Sequence, residues 1–290
     1  MTSAPDICIY HANCDDGFAA AYVIWKEWGN AVEFVACDYK HKPPDVTGKD
    51  VLIVDFSFDL GTMLAMARQA RRIIVLDHHK TARDALCEVP RCPVKSPMST
   101  IVTAQGCETL ADGLWVHFDM RKAGCRLAWE YVHGDSRTMP EWMVCVEDRD
   151  LWRFNHPDTK KISAALRSHP RKFEVWDRFS IFDLEREGRA IRRYIDQTVS
   201  NIADTAFTEK IGGHTVPVAA CSYDFVSDVG HELLRRNPRA AFAACIIRTR
   251  DGTTYSLRSD DRRMDVSQIA RAQGGGGHRN AAGFRVNDDV

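Results

Sequence analysis

Histidines and aspartates follow three apolar segments near the start of the chain, and such side chains bind divalent cations. His11, Asp55 and Asp77-His78-His79 each come directly after a run of four apolar residues. Carboxylates and imidazoles together can hold two cations that activate water for the hydrolysis of phosphate esters, with no covalent nucleophile. This repeated pattern indicates one shared metal cluster and predicts a catalytic site.

The elements that must position these residues alternate between strand and helix. The apolar runs are predicted strands, Phe18–Trp25 and Leu60–Ala70 are helical in composition, and Val32–Ala36 is a short predicted strand. Alternation of this kind implies right-handed crossovers and a parallel sheet. Open α/β sheets bind ligands beyond the carboxyl ends of their strands. The three sets of polar residues are therefore expected to meet at one edge of the sheet.

Two of the acidic positions have a second interpretation. Asp15-Asp16, followed by Gly17, suits a divalent ion, but Asp and Gly also form ordinary turns, and both interpretations stay open. Asp55 could cap the helix that begins near residue 60. Ser57 or Asp59 lies nearer that helix and is the better cap, so Asp55 is interpreted as a metal ligand.

Other charged groups near these positions are candidates of the same kind. Asp77-His78-His79 could be a solvated loop with a core histidine, but its position after a buried strand favours ligands. Lys80 could neutralise phosphate or be an ordinary surface lysine. Asp148-Arg149-Asp150 could form an exposed turn with an internal ion pair. A two-metal site needs further oxygen ligands, which Asp148 or Asp150 would supply.

The middle of the chain predicts a boundary between two domains. Residues 81–100 are proline-containing and are predicted to form a loop, while Lys122–His133 and Met139–Val146 are predicted helices. A charged amphipathic segment then predicts a long connecting helix. The predicted organisation is a catalytic domain over 1–182, the connecting helix over 183–206 and a smaller mixed domain over 207–290.

The smaller domain carries the only glycine cluster of the chain. Gly274–Gly277 precedes His278, and consecutive glycines let backbone N–H groups surround an anion. A flexible linker is the alternative, but a further apolar segment follows the glycines, which favours a phosphate loop. Arg258, at the end of a predicted strand beside Ser259, could bind phosphate with the two prongs of its guanidinium or could simply be solvated. Further strands are predicted over Val216–Ala220, Ala240–Arg248 and Thr253–Arg258.

Bulk properties exclude some classes of function. The net charge of −1 gives no overall basic field for binding duplex nucleic acid. No apolar run approaches the length of a membrane span, and the first residues do not resemble a secretory signal. The ten cysteines form no C-x-x-C pair, and Cys87 and Cys92 lack a matching second pair for zinc. We expect reduced thiols in a cytoplasmic protein.

The combined motifs resemble the DHH phosphoesterase family with its C-terminal DHH-associated substrate domain, over nearly the whole chain. The compact form is most similar to nanoRNases and pAp-type phosphatases. Family II pyrophosphatases lack the glycine-His loop, and RecJ-type exonucleases are usually much longer. The matching segments are His11-x-x-Cys14-Asp15-Asp16-Gly17, Val54–Ser57, Asp77–His79, Glu147–Asp150, Leu257–Ser259 and Gly275–Gly283.

The resemblance implies an α/β fold, a parallel-sheet domain joined by a long helix to a smaller mixed domain, and a site for two Mn²⁺ ions. Mg²⁺ or Co²⁺ could substitute. Its implied metal ligands are His11, Asp16, Asp55, Asp77, His78 and Asp148. Implied catalytic residues are His79, Asp77 and Asp15. The implied substrate-binding residues are Arg258, Ser259, Gly276, Gly277, His278 and Lys80. All but Lys80 belong to a second lobe that binds the nucleotide, and Lys80 lies beside the metal site.

The implied activity is hydrolysis of short oligonucleotides or related nucleotide phosphoesters by water that two metals activate. Many members place an aspartate where this chain has Cys14, so Asp15 takes over that role or the first metal is held more weakly. A 3′,5′-bisphosphonucleotide or cyclic dinucleotide substrate, and a catalytically weakened nucleotide-binding protein, stay open as alternatives. The expected partner is the nucleotide substrate, with no membrane, and a homodimer is kept as an alternative to a monomer.

Overall fold

The computed structural model describes residues 3–38, 41–87, 108–111, 113–134, 136–250 and 252–286. The chain divides into two compact units, Met1–Ile191 and Arg192–Val290. The longest helix runs through this division, so each unit includes part of it. Each unit is built on its own six-stranded sheet.

The first unit contains a mostly parallel sheet. Its strands are β1 (Ile7–His11), β2 (Glu33–Cys37), β3 (Asp50–Val54), β4 (Arg72–Asp77), β5 (Glu108–Ala111) and β6 (Leu114–Phe118). The order is β2-β1-β3-β4-β6-β5, and only the pairing of β5 with β6 is antiparallel. The order reverses between β1 and β3, which is where such sheets bind ligands. The carboxyl ends of β1, β3 and β4 therefore lie side by side.

Helices connect and cover these strands. They are α1 (Asp15–Trp28), α2 (Leu60–Ala67), α3 (Lys80–Cys87), α4 (Gly124–His133), α5 (Glu141–Asp150), α6 (Thr159–Ser168), α7 (Phe173–Trp176) and α8 (Ile181–Asp204). The side chain of Asp59 caps α2 by accepting a hydrogen bond of 3.0 Å from the backbone N–H of Thr62. Of the two residues predicted to cap this helix in place of Asp55, the structure shows Asp59 and not Ser57 in that role.

Both faces of the first sheet are buried, which explains its unbroken apolar strands. Successive side chains of a strand point to opposite faces. Cys8 and Leu52 pack into a core with α1, α4 and α5, while Ile9 and Ile53 pack into a second core with α2. A sheet covered on both sides requires apolar residues at every position of its central strands.

Most elements predicted for the first unit are present, and the fold class is confirmed. The loop predicted over 81–100 is wrong in its first part, because α3 continues to Cys87; residues 88–100 lie outside the described residues. Proline content later in that segment hid the short helix. The β6 strand was not predicted either, since its short apolar run is followed by a polar turn.

The second unit contains a mixed sheet. Its strands are β7 (Phe207–Ile211), β8 (His214–Ala220), β9 (Ala243–Thr249), β10 (Gly252–Arg258), β11 (Gly276–Gly277) and β12 (Ala281–Val286). The order is β11-β12-β10-β9-β8-β7, and only the pairing of β8 with β9 is parallel. Its helices, α9 (Val226–Arg236) and α10 (Val266–Ala272), pack into separate apolar clusters.

Two further features concern the whole of the described chain. No helix in it is both long and apolar enough to cross a membrane. The cysteines whose side chains are described are free thiols: Cys8, Cys14, Cys37, Cys125, Cys145, Cys221 and Cys245.

Candidate metal centre

The ends of β1, β3 and β4 bring histidine and aspartate side chains together, as the sequence pattern indicates. His11 is the last residue of β1, Asp55 follows β3, and Asp77 ends β4. Each of these strands pairs directly with the next, so residues far apart in the chain become neighbours.

Asp55 lies at the centre of this cluster. Its Oδ2 is 3.3 Å from Nδ1 of His11, and its Oδ1 is 3.0 Å from Nε2 of His78. The backbone of Asp55 has φ of 63°, a left-handed conformation that is uncommon outside glycine. Its N–H donates to the carbonyl of Leu76 over 2.9 Å, which holds the turn in place. The two oxygens of one buried carboxylate therefore face two different imidazoles.

Two groups of candidate ligands meet at Asp55. In the first group, ligand atoms of His11, Asp55 and His79 all lie within 4.8 Å of one another. In the second group, ligand atoms of Asp16, His78 and Asp150 lie within the same distance. In the second group Nε2 of His78 is 3.6 Å from both carboxylates.

Asp77 orients the histidines that follow it. Its Oδ1 accepts hydrogen bonds from the backbone N–H of His78 over 2.7 Å and of His79 over 3.1 Å. The same oxygen is 2.7 Å from Nδ1 of His79. A carboxylate that holds one ring nitrogen of a histidine directs the other nitrogen towards a cation.

Asp16 is held by the N-terminus of α4. Its two oxygens accept hydrogen bonds from the backbone N–H groups of Gly124, over 2.5 Å, and Cys125, over 2.9 Å. Helix N-termini stabilise negative charge through these unpaired N–H groups. A Cβ at position 124 would lie 2.5 Å from the Cβ of Asp55, so only glycine permits this approach. Gly17 in α1 is similarly restricted by the backbone of His11.

The charges in the cluster shift one another's protonation. Burial disfavours the charged form of Asp55, but the imidazoles of His11 and His78 outweigh it and hold its pKa well below the usual range. Burial, with the charges of Asp55 and Asp150, raises the pKa of Asp16 well above its usual value. Burial opposes protonation of His78, but its hydrogen bond to Asp55 and the neighbouring carboxylates raise its pKa to about 10. Cations bound here would displace these protons.

The cluster fits divalent cations. Oδ2 of Asp55 and Oδ2 of Asp77 are buried and accept no hydrogen bond from the described residues. Buried acceptors left in this state are costly, and a cation satisfies them. Oxygen and imidazole donors in these proportions suit Mn²⁺ and similar ions.

The structure does not bring Asp148 to the cluster, and this corrects the predicted ligand set. Its Oδ1 accepts from the backbone N–H of Asn155 over 2.9 Å, and its Oδ2 accepts from that of His156 over 3.1 Å and from the hydroxyl of Thr159 over 2.5 Å. Asp150, the last residue of α5, lies beside His78 instead. Helix residues two apart do not face the same way.

The remaining residues predicted for this region are near the cluster in sequence but have other contacts. The carboxylate of Asp15 accepts hydrogen bonds from Arg167 over 3.0 Å and from Arg171 over 2.6 Å. The structure therefore does not bring it to the ligand groups. Burial and the carboxylates of Asp55, Asp150 and Asp16 raise the pKa of the Cys14 thiol well above its usual value. Lys80 begins α3.

In the second unit, Arg258 ends β10 and is held by serines. Its guanidinium donates to the hydroxyls of Ser256 and Ser227, each over 2.9 Å, and to the carbonyl of Leu257 over 2.8 Å. Ser259 is buried, and its hydroxyl donates to the carbonyl of Met264 over 2.6 Å. Ser259 therefore supports the turn after β10.

The glycine cluster forms a tight hairpin. Gly276 and Gly277 pair with β12, and the N–H of His278 donates to the carbonyl of Ala281 over 2.8 Å. A Cβ at Gly275 would lie 2.0 Å from the carbonyl oxygen of Gly283. The N–H groups of Gly274 and Gly275 also donate to backbone carbonyls. Close packing against β12 thus requires glycine at positions 275 and 277.

Sequence reasoning missed the role of α4 and weighed Asp150 only as an alternative. Gly124 and Cys125 contribute backbone N–H groups, which no side-chain pattern reports. Knowing that α5 ends at Asp150 would have separated Asp148 from Asp150, since the two point to different sides of that helix.

Two curated relatives have similar sequences, and no protein-family model matches the chain. An uncharacterized protein of Acanthamoeba polyphaga mimivirus is 28% identical over 96% of this chain and 67% of its own length. Oligoribonuclease NrnB of Bacillus subtilis is 32% identical over 45% of this chain. The aligned part is 30% of NrnB, so the match covers less than a third of that enzyme.

Solved structures with the same fold include known DHH proteins. A DHH domain from a protein described as a member of a family of ribosomal proteins superposes with a TM-score of 0.58, covering 96% of this chain and 82% of its own, at 12% identity. RecJ of Thermus thermophilus, in complex with Mn²⁺, gives 0.53 over 98% of this chain and 50% of its own, also at 12% identity. The chain therefore shares the fold of these proteins, and the fold implied by the resemblance to the DHH family is confirmed.

Proposed function

We propose that this protein is a divalent-cation-dependent phosphodiesterase that hydrolyses short oligonucleotides or related nucleotide phosphoesters. The single observation that supports this most strongly is the position of Asp55. One of its oxygens faces His11 of the first group of candidate ligands, and the other faces His78 of the second group, so Asp55 lies between the two groups. A carboxylate with this geometry is suited to bridge two cations.

The proposed cation ligands follow from the geometry of the first unit. The first cation would be held by His11, Asp55 and His79, and the second by Asp16, Asp55, His78 and Asp150. Asp77 keeps His79 oriented and offers a buried oxygen of its own. We propose Mn²⁺ as the natural ion, because the donors combine carboxylates with imidazoles.

When bound, the cations would supply an activated water and would offset the charge that develops on phosphorus. The protein's own residues position that chemistry. Asp77 fixes the ring of His79 through its Nδ1, which leaves Nε2 as the nitrogen that would face the first cation. The N-terminus of α4 keeps Asp16 in place through two backbone hydrogen bonds. Lys80 is proposed to neutralise a phosphate oxygen.

The second unit is proposed to bind substrate phosphate through side chains. Arg258 has a guanidinium whose position is fixed by Ser227 and Ser256, and a fixed guanidinium binds phosphate with two parallel hydrogen bonds. His278 lies at the tip of the β11–β12 hairpin and would add a donor. Gly276 and Gly277 would contribute by shaping this hairpin.

A short substrate agrees with the charge of the chain. The net charge of −1 offers no extended basic track, so affinity must come from a few local contacts. The relative NrnB is named an oligoribonuclease, which favours oligonucleotides over the bisphosphonucleotide and cyclic dinucleotide alternatives. We also propose a cytoplasmic location.

A catalytically weakened nucleotide-binding protein is the second candidate, and Cys14 is the observation in its favour. The thiol stands where many family members have an aspartate, and its raised pKa keeps it protonated rather than anionic. Asp15 does not replace the missing carboxylate, because Arg167 and Arg171 bind it. Asp150 supplies an additional carboxylate to the cluster, which supports retained hydrolysis.

The test is hydrolysis of 5′-labelled dinucleotides by purified protein with and without Mn²⁺. We expect mononucleotides to be released only with the metal. Asp150→Asn should reduce release, whereas Asp183→Asn, an exposed carboxylate in α8, should behave as wild type. Tight dinucleotide binding without release, in wild-type protein saturated with Mn²⁺, would favour the second candidate.

A further inference from the structure

Two aromatic side chains near Asp150 stand apart from the apolar cores of the first unit. Trp152 and Phe154 are both partly exposed, and neither packs into the apolar clusters found among the described residues. Their rings meet edge to face with centroids 4.8 Å apart. Large aromatic rings that remain partly in solvent usually serve contacts with a ligand or partner.

The backbone at these positions is strained. Trp152 has φ of 55° and Phe154 has φ of 53°, values that bulky residues rarely adopt. Asp148 holds the strained loop. Its carboxylate accepts hydrogen bonds from the backbone N–H groups of Asn155 and His156, and its backbone carbonyl accepts one from the N–H of Arg153. Strain that is maintained by such contacts is typical of functional sites.

Cationic groups lie over these rings. The guanidinium carbon of Arg149 is 4.6 Å from the ring centroid of Trp152 and 5.6 Å from that of Phe154. The ammonium of Lys160 is 5.0 Å from the centroid of Phe154. Aromatic rings combined with arginine are the groups on which proteins stack single-stranded bases.

The aromatic pair is close to the proposed metal centre. Asp150 precedes Trp152 by two residues, which span at most about 7 Å of chain. Asp150 itself lies 3.6 Å from His78 in the cluster. A nucleotide with its phosphate at the cluster therefore has its base within reach of these rings.

We propose that the ring of Trp152 forms a stacking surface for a nucleobase of the substrate, and that Phe154, whose ring is nearly perpendicular to it, holds it in place. This inference rests on the proposed function, because it assigns the base that accompanies the phosphate at the metal centre. Arg149 and Lys160 support the two rings and add positive charge beside the nucleotide. Asp148 acts as a positioning residue for the loop.

The test compares a dinucleotide with the same compound lacking one base, using wild-type protein and Trp152→Gly with Mn²⁺. Glycine suits the left-handed backbone, so the variant should keep its fold. We expect the preference in kcat/KM for the base-bearing compound to fall about tenfold in Trp152→Gly. Trp152→Tyr should retain most of it, and Phe182→Ala, an exposed aromatic of α8, should match wild type.

A second readout separates this inference from the proposed function. Adenosine 5′-monophosphate and ribose 5-phosphate are titrated into each protein, so no turnover is required. If wild-type protein prefers the base-bearing compound and Trp152→Gly does not, the stacking surface is upheld. If this binding result is obtained but neither dinucleotide is hydrolysed, only the phosphodiesterase proposal is overturned. Equal preference and equal binding in wild type and Trp152→Gly overturn the stacking surface. A wild-type protein that neither binds nor hydrolyses nucleotides overturns both.

Discussion

The two sheets of this protein use their glycines and strand ends in different ways. In the first unit, adjacent parallel strands end together and place His11, Asp55 and Asp77 at one edge. In the second unit, the glycines beside β12 let two backbones pack closely, and several of their N–H groups donate to carbonyls. A parallel sheet thus concentrates polar side chains from distant segments, whereas an antiparallel hairpin uses up its backbone donors locally.

Replacing Asp55 by Asn tests the first half of this comparison and has the largest expected effect. The change removes the charge that faces both His11 and His78. We expect Mn²⁺-dependent dinucleotide hydrolysis to fall about a thousandfold, or about 4 kcal/mol. Initial rates at saturating Mn²⁺ give the measurement. Asp59→Asn, an exposed helix cap, is the control, and full activity of Asp55→Asn would refute the bridging assignment.

Replacing Gly275 by Ala tests the second half. The new Cβ would lie 2.0 Å from the carbonyl oxygen of Gly283, so the hairpin must open. We expect the free energy of unfolding of the second unit to fall by about 3 kcal/mol, with bound Mn²⁺ unchanged. Thermal unfolding followed by calorimetry measures the loss.

Gly124→Ala is the matched substitution in the first unit. Its Cβ would lie 2.5 Å from that of Asp55, so here bound Mn²⁺ should be lost. If Gly275→Ala also removed the metal, the two sheets would not differ as described.

Asp148→Ala and Asp150→Ala together sharpen the assignment within α5. Asp148→Ala removes the acceptor of three hydrogen bonds, one of them from the buried Thr159, and should reduce the free energy of unfolding by about 2 kcal/mol, while Mn²⁺ still binds. Asp150→Ala should have little effect on stability and should weaken Mn²⁺ binding. Urea unfolding and metal titration measure the two effects, and the reverse pattern would restore Asp148 as the ligand.

His278→Ala has the smallest expected effect. Its proposed contact is with substrate phosphate and not with the reacting water, so the loss should appear in KM, by about tenfold, with kcat nearly constant. Steady-state kinetics on a dinucleotide give both constants. His214→Ala, at the start of β8, is the control. A loss confined to kcat would place His278 in the chemical step instead.

The sequence predicted the fold of the first unit well, because its elements have strong local signals. Four-residue apolar runs predicted β1, β3 and β4, and the polar residues that follow them were predicted to meet at one edge of the sheet. The β6 strand was missed because its apolar core is short, and α3 was missed because prolines later in the segment favoured a loop. Local composition does not report the tertiary contacts that stabilise a short strand or helix.

The candidate site was predictable only where a ligand follows directly from a strand. His11, Asp55 and His78 meet because the strands that precede them pair. Asp148 and Asp150 could not be separated, because the choice depends on which side of α5 faces the cluster. The backbone N–H groups of Gly124 and Cys125 that hold Asp16 leave no side-chain signal at all.

Anomalous diffraction from a crystal of this protein soaked in Mn²⁺ tests the bridging role of Asp55 most directly. We expect two manganese peaks in the first unit, one beside each oxygen of Asp55, with Asp150 and not Asp148 at the second. An absence of peaks at saturating Mn²⁺, or a single peak that contacts neither oxygen of Asp55, would contradict it.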